Sequence, residues 1–494
     1  MEQERIARAA ARKREKSISP PSRKRMRLES PQSQRLPGES LDTSDAGPAG
    51  DSAQSSAKTH HGLRFPKGVI MKTFARHHPR DRRTIKIEDI IDRQHVRTAV
   101  LSTFMLDADW ILSTKFDLTK TKFYLILHAK SDEDRAMMRQ DFAPVRQARL
   151  CLPRLTGAIG CQHSKLMMLF FAEYVRIVLP SANLVDFDWG ESGLMENSVF
   201  IVDLPRRAHN SEQLSAEDLP LFGRHLIEFL NNQGVSNDVR DGLLKFDFDA
   251  TTNLAFIHTS EGAHFDSRAM HTGLPSLSAA VRQLGLATEE DIHVDIAASS
   301  IGSLSDEFIN AIYEAAQGKD ITTTVSRERR KKRNAKVEAN VRIYFPTDET
   351  VKASIGGSDN GGTICLQKSF WDKPGFHRQI FRDYRSARQG LLSHNKLLFV
   401  RGKKVDGSSI AWVYVGSANC SSSAWGTLVT KAVKLNCNNW ESGVLLPVDN
   451  PPEDLSDLGK VFESVMDVPF EYGDGKGLEY GARNPWFFMR KDRL

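Results

Sequence analysis

His163-Ser-Lys165, then Leu-Met-Met-Leu-Phe-Phe, a short turn, Val-Arg-Ile-Val-Leu and Ser181-Ala-Asn183, is one copy of a pattern that this 494-residue chain carries twice. The second copy is His394-Asn-Lys396, an apolar run, the loop Gly402-Lys403-Lys404-Val405-Asp406-Gly407, Trp412-Val-Tyr-Val and Ser417-Ala-Asn419. One His-x-Lys is expected by chance, but two with the same tail are not. Each tail then reaches a Glu opening a strand-like run, Glu196-Asn-Ser-Val-Phe-Ile and Glu441-Ser-Gly-Val-Leu-Leu. The apolar runs read as pairs of buried strands. Residues two apart on a strand share a face, so the spacing predicts that His163 projects with Lys165 and His394 with Lys396.

The surroundings extend this into a fold. Thr98-Ala-Val-Leu-Ser-Thr-Phe and Lys122-Phe-Tyr-Leu-Ile-Leu-His read as strands, with a helix at Met105-Leu-Asp-Ala-Asp-Trp-Ile-Leu between them. Leu277 to Leu286 reads as a helix and Ile292-His-Val-Asp-Ile-Ala-Ala as a strand. Apolar strands alternating with amphipathic helices predict an α/β fold of two similar halves, each a mixed β-sheet flanked by helices. An approximate two-fold axis between the halves would set the two His-x-Lys strands side by side. The expected divisions are a tail at 1–62, a first half at 63–265 and a second at 266–494.

The chemistry of the repeated residues points to phosphate. A lysine supplies a compact positive charge, an asparagine amide donates to a phosphoryl oxygen, and a histidine acts as nucleophile or general acid near neutral pH. Two such sets face to face would surround one phosphate, and a carboxylate beside each imidazole would fix its tautomer.

These residues resemble the phospholipase D superfamily in the variant where Asn replaces the usual Asp, the tyrosyl-DNA phosphodiesterase family. Trp189, Ser299-Ser300-Ile301-Gly302-Ser303-Leu304 and Ala424-Trp425-Gly426 extend the likeness, which covers about residues 65 to 494. The resemblance implies two phospholipase D-like halves. It implies His163 as the nucleophile that forms a phosphohistidine with a DNA 3′ end, and His394 as the acid that protonates a departing tyrosine phenolate and then activates water. Lys165, Lys396, Asn183 and Asn419 would clamp the non-bridging oxygens. Glu441 would support His163, and internal symmetry would give Glu196 the same role for His394. Ser300, Ser303 and Ser421 would contact DNA. Four residues before His163, where the family can carry a base-stacking aromatic, this chain has Ile159. Phe187, Trp189 and Trp425 are then candidate platforms, although each residue type is more often core.

The implied activity is hydrolysis of the bond between a DNA 3′-phosphate and the tyrosine of a stalled type IB topoisomerase, leaving a 3′-phosphate, with trimming of other 3′ adducts. No cofactor or metal is expected, since two histidine-mediated steps replace a Lewis acid and no metal-ligand spacing is present beyond Cys161-x-His163. The implied partners are single- and double-stranded DNA 3′ ends and tyrosine or peptide adducts. Other readings are a nuclease or lipase of the same superfamily, and a DNA-end binding protein without catalysis.

Composition sets outer bounds. Residues 1–35 hold eleven Lys or Arg and four Asp or Glu, +7, against +6 for the whole chain, so residues 36–494 sum to −1. Net charge therefore does not mark the remainder as a DNA binder. The first sixty residues, rich in Ser, Pro, Gln and charge, are expected to be disordered. Their clusters Arg12-Lys13-Arg14 and Arg23-Lys24-Arg25-Met26-Arg27 favour nuclear import over a loosely nucleic-acid-binding tail. The basic run Arg327 to Arg333 reads as a phosphate contact or a solvated insertion. Apolar runs too short to span a bilayer, a charged N-terminus and five irregularly spaced cysteines predict no membrane span, no secretory leader and a reducing compartment. A monomer is the default.

Overall fold

Strands that are apolar at nearly every position must be covered on both faces, and the chain meets that demand with two sheets packed between helices. The computed structural model describes residues 62–156, 160–323, 328–429, 434–473 and 477–487. The expectations for the tail, Ile159 and Arg327 lie outside them. The first sheet runs Thr84–Ile85, Val69–Thr73, Ser198–Pro205, Tyr174–Pro180, Leu166–Phe170, Thr98–Ser102, Lys122–Ile126, Ala148–Cys151. The second runs Ala255–Thr259, Asn439–Pro447, Ser409–Gly416, Lys396–Lys403, Ile292–Ala298, Val341–Phe345, Phe381–Asp383. From Val69–Thr73 in one and Ala255–Thr259 in the other, the two orders match strand for strand, with the same parallel and antiparallel senses.

The alternation seen in sequence sorts the core into layers. Val100, Met168 and Ile177 of the first sheet join Phe399, Val413 and Val444 of the second in a central core. Ala99, Leu101 and Met167 face the helices on one outside, and Ile296, Leu398 and Trp412 those on the other.

Three expectations need correcting. The strand Ala255–Thr259 pairs with Asn439–Pro447, so the second sheet starts ahead of residue 266. All five of its residues are buried, and a strand buried on both faces carries no pattern to say which sheet takes it. The helix expected at Met105 to Leu112 is a π-helix at Asp109–Thr114. The helix expected from Leu277 begins earlier, as Gly273–Gln283, and its first residue sits at φ +62 where a Cβ would lie 2.3 Å from the Trp425 carbonyl oxygen, a place only glycine fits. In the basic insertion, Arg330 is buried and bonds Glu314 and the Ile321 carbonyl, Lys331 pairs with Glu328, and Arg333 with Glu338. These partners hold the insertion in place.

Two short strands tie the halves together just before each His-x-Lys. Cys161–Gln162 leaves the first half to pair in parallel with Asn439–Pro447, and Leu392–Ser393 leaves the second to pair in parallel with Met195–Glu196. His163 N–H then donates to the Trp440 carbonyl and His394 N–H to the Glu196 carbonyl. Each His-x-Lys motif is therefore the span on which the chain crosses from the other half's sheet back into its own.

Candidate active site

The two crossings bring both motifs to one buried centre. His163 lies between Cys161–Gln162 and Leu166–Phe170, and its backbone is pinned from opposite sides. Ser442 Oγ accepts from Lys165 N–H (3.2 Å) and donates to the Lys165 carbonyl (3.1 Å). Beneath it, Gln162 Nε2 donates to Ser102 Oγ and Ser164 Oγ. With Ser164 turned to Gln162 and Ser102, and Asn395 to Tyr384 and Ser181, His163 shares a side with Lys165, and His394 with Lys396.

His163 Nδ1 is 2.8 Å from Glu441 Oε2. Ser417 Oγ donates to the same oxygen (2.5 Å), and Asn439 Nδ2 donates to Oε1 (2.9 Å). A carboxylate held this way accepts from Nδ1–H and leaves Nε2 as the free nucleophilic nitrogen. Burial holds the His163 imidazole below its ordinary pKa, opposed by Glu441 and assisted by Lys165 and Lys396. That direction favours the neutral ring.

The carboxylate at His394 is a different one from that expected. Asp188 Oδ2 stands 3.2 Å from His394 Nδ1, whereas Glu196 bonds Arg388 Nε (3.0 Å) and Tyr384 Oη (3.1 Å). Register gives the reason. Ser181 N–H donates to the Ser198 carbonyl and Ser417 N–H to the Ser442 carbonyl, both at 2.9 Å, while Ser393 pairs with Glu196 as Gln162 does with Trp440. The equivalent of Glu441 is thus Asn197, and that of Glu196 is Trp440. A slip of one residue on a strand turns a side chain to the other face. Glu196 still serves the motif at one remove, because Tyr384 Oη accepts from Asn395 Nδ2 (3.2 Å).

Asp188 was missed, yet a signal existed. Trp189 lies six residues after Asn183 and Trp425 six after Asn419, which sets Asp188 opposite Ala424. Each half carries one carboxylate, at a different step of the repeat. Asp188 is fully buried and also accepts from Asn183 N–H (2.7 Å) and Asn183 Nδ2 (2.9 Å). Asn183 is thereby committed within the site. Asn419 Oδ1 accepts from Ser300 N–H (3.0 Å) and Ser299 Oγ (3.3 Å), which leaves its NH2 as the group for a phosphoryl oxygen.

Both lysines are fully buried, and each ammonium donates to the carbonyl of the histidine two residues before it. Burial lowers Lys165 to about 8 and pushes Lys396 well below its usual range, with Lys165 adding repulsion. His394 falls to about 4 through burial and then Lys396, with Asp188 working against them. Like charges buried together form a socket that an anion would relieve.

Of the candidate DNA contacts, Ser300 and Ser421 are half-buried at the rim and Ser303 is exposed. Ser421 Oγ caps the turn Ser422–Trp425. Trp189 and Trp425 are core residues, 1 % and 3 % exposed, so neither is a stacking platform. Among the described residues, no group of three or more His, Cys, Asp or Glu side chains is placed to hold a metal ion.

Known proteins share this sequence pattern at the level of family and fold. Residues 69–472 match the family described as Tyrosyl-DNA phosphodiesterase. Tyrosyl-DNA phosphodiesterase 1 of Arabidopsis thaliana is 25 % identical over 405 residues, 78 % of this chain and 62 % of that protein. The Drosophila melanogaster protein of the same name is 24 % identical over 407 residues, 79 % of this chain and 67 % of its own. The chain thus spans about three fifths to two thirds of these relatives. The crystal structure of the yeast tyrosyl-DNA phosphodiesterase superimposes with a TM-score of 0.54 at 21 % identity, covering 76 % of this chain and 89 % of that one, which shows a shared fold. With a family match over most of its length and the paired motifs converging on one buried centre, this chain belongs to the tyrosyl-DNA phosphodiesterase family.

Proposed function

We propose that the protein hydrolyses the phosphodiester between a DNA 3′ end and a tyrosine. The observation that carries this is the pair of imidazoles each set beside a carboxylate, His163 hydrogen-bonded to Glu441 and His394 with its Nδ1 3.2 Å from Asp188, about two buried lysines. In the first step His163 Nε2 attacks phosphorus, the P–O bond to tyrosine breaks, and His394 gives its proton to the phenolate. In the second, His394 takes a proton from water, the new O–P bond forms, the N–P bond breaks, and a 3′-phosphate leaves. Lys165, Lys396 and the Asn419 amide face the charge that builds on the non-bridging oxygens, where low dielectric makes each contact strong.

The free-state pKa of about 4 for His394 suits an acid that is charged by its substrate. A bound phosphodiester anion offsets the Lys396 and Lys165 charges that hold His394 down, so protonation of the acid accompanies substrate entry. Stalled topoisomerase ends are the substrate class that this chemistry fits. The basic tail clusters support a nuclear protein, and a monomer is the simplest state for a site completed within one chain. No helix among the described residues is long and apolar enough to cross a membrane.

The test is a gel assay with a 5′-labelled oligonucleotide ending in 3′-phosphotyrosine, in excess EDTA, beside the same strand ending in 3′-hydroxyl. Conversion of the adduct to a 3′-phosphate with little shortening of the hydroxyl strand is the expected result. Failure to convert it, with release of a lipid headgroup or internal cleavage of DNA instead, would transfer the site to another superfamily substrate.

A further inference from the structure

Beside the catalytic centre lies a small sheet of three antiparallel strands, in the order Gly262–Phe265, Lys434–Cys437, Thr427–Val429. Its two faces differ. Leu428, Leu435 and Cys437 pack with Ala269 beneath it. Facing outward are Ala263, Asn436 and Thr427 on one rung and Phe265, Lys434 and Val429 on another, since paired residues of antiparallel strands share a face. Phe265 is 51 % exposed and is the only aromatic among the exposed large hydrophobic residues of the described chain. Val429, one of the other four, stands on the same rung. The Lys434 ammonium lies 5.1 Å from the centre of the Phe265 ring.

The sheet is continuous with the site. Its middle strand runs on through Asn438 into Asn439–Pro447, which carries Glu441. Asn438 Nδ2 donates to Ser423 Oγ, in the turn that follows Ser421 (3.3 Å). From Lys434 to Glu441 is seven residues, at most about 23 Å of extended chain, a span of a few nucleotides.

We propose that this outward face is a landing platform for single-stranded DNA leading to the scissile 3′ end, with a base stacked on Phe265, the backbone phosphate drawn by Lys434, and Asn436 offering an amide between them. An open sheet face that combines an aromatic ring with a cation and an amide matches the way single strands are held without sequence preference. The assignment rests on DNA being the substrate, and it deepens that reading by predicting which part of the strand the protein grips.

The test compares two 3′-phosphotyrosine substrates, one of two nucleotides and one of about fifteen, with wild-type protein, Phe265→Ala and Phe265→Trp, where loss of a stacked base is expected to cost at least about fivefold. For Phe265→Ala, the advantage in kcat/KM of the long strand over the short one shrinks by that factor through KM, and Phe265→Trp restores it. Lys434→Ala flattens the salt dependence of the long substrate. An unchanged long-to-short ratio in Phe265→Ala overturns the platform, as does an equal loss on both substrates. Fluorescence anisotropy of a labelled strand with a 3′-hydroxyl end separates the two proposals. Retained binding that depends on Phe265, without turnover, removes the enzymatic reading and keeps the platform. Binding indifferent to Phe265 removes the platform, and concentration-dependent self-association that Phe265→Ala abolishes assigns the face to a second copy of the chain instead.

Discussion

Asp188 stands 3.2 Å from the ring of His394, the proposed general acid, and accepts from the Asn183 amide at 2.9 Å. Its charge is the protein group that works against the burial and lysine repulsion holding His394 near 4. Asp188→Asn is therefore expected to slow release of tyrosine by about a hundredfold, within the range of general acid catalysis. Replacing tyrosine by p-nitrophenol, which leaves without a proton, should recover most of that loss; an equal defect on both substrates would mean that Asp188 acts on Asn183 or on folding instead. His163→Ala should abolish turnover, while His394→Asn should slow the second step more than the first and accumulate protein covalently joined to DNA on a denaturing gel. Lys165 gives a pH prediction. Its folded value of about 8 lies below the ordinary lysine value, and an anion binds the ammonium form. The rise in Tm caused by inorganic phosphate should thus be large at pH 7 and fade as pH climbs past about 8, and a shift that persists undiminished at pH 10 would place the phosphate elsewhere.

At the scale of elements, the site depends on strands that meet closely. Gly416 and Gly443 face each other across the second sheet, and the Tyr414 ring lies against both, with its hydroxyl accepting from Ala418 N–H just before Asn419. A Cβ on Gly443 would come within 2.3 Å of that ring. Gly443→Ala should cost about 1–3 kcal/mol in urea unfolding and displace Asn419, the usual consequence of overpacking. Glu196 offers the contrast to Asp188. Its buried carboxylate bonds Arg388, which also donates to the Thr73 carbonyl, so Glu196→Ala strands a guanidinium and should cost about 3 kcal/mol. The molecules that remain folded should still partition between the two chemical steps as wild type does. Accumulation of the covalent intermediate in Glu196→Ala would return Glu196 to the role that internal symmetry suggested.

For the whole molecule, burying several histidines as neutral rings sets the acid limit. His394, His163 and His258 all lie below the ordinary value of 6.5, chiefly through burial. Their folded values are depressed, so the stability they contribute is present above 6.5 and lost as pH falls towards about 4. From His394 alone that loss is on the order of 3 kcal/mol, and His394→Asn should make the fall in Tm between those limits shallower; an equally steep fall would assign it to other groups. The same burial explains what could be read early. Repetition of His-x-Lys with Ser-Ala-Asn, and apolar runs between them, disclosed two matching sheets and the four central residues, because strand alternation and motif spacing are local properties. Glu441 lies on a strand that the repeat itself includes; its place beside His163 was what the family resemblance implied, and the two side chains stand 2.8 Å apart. Asp188, the rim sheet with Phe265 and the membership of Ala255–Thr259 were different in kind. Each depends on which strand lies beside which and in what register, a pairing made between residues far apart in sequence, where a single position decides that Asn197, and not Glu196, is the equivalent of Glu441. The sequence by itself determined the kinds of groups and their order; only the tertiary structure decided which carboxylate reaches which histidine, since hydrogen bonding between strands, not spacing along the chain, sets that distance.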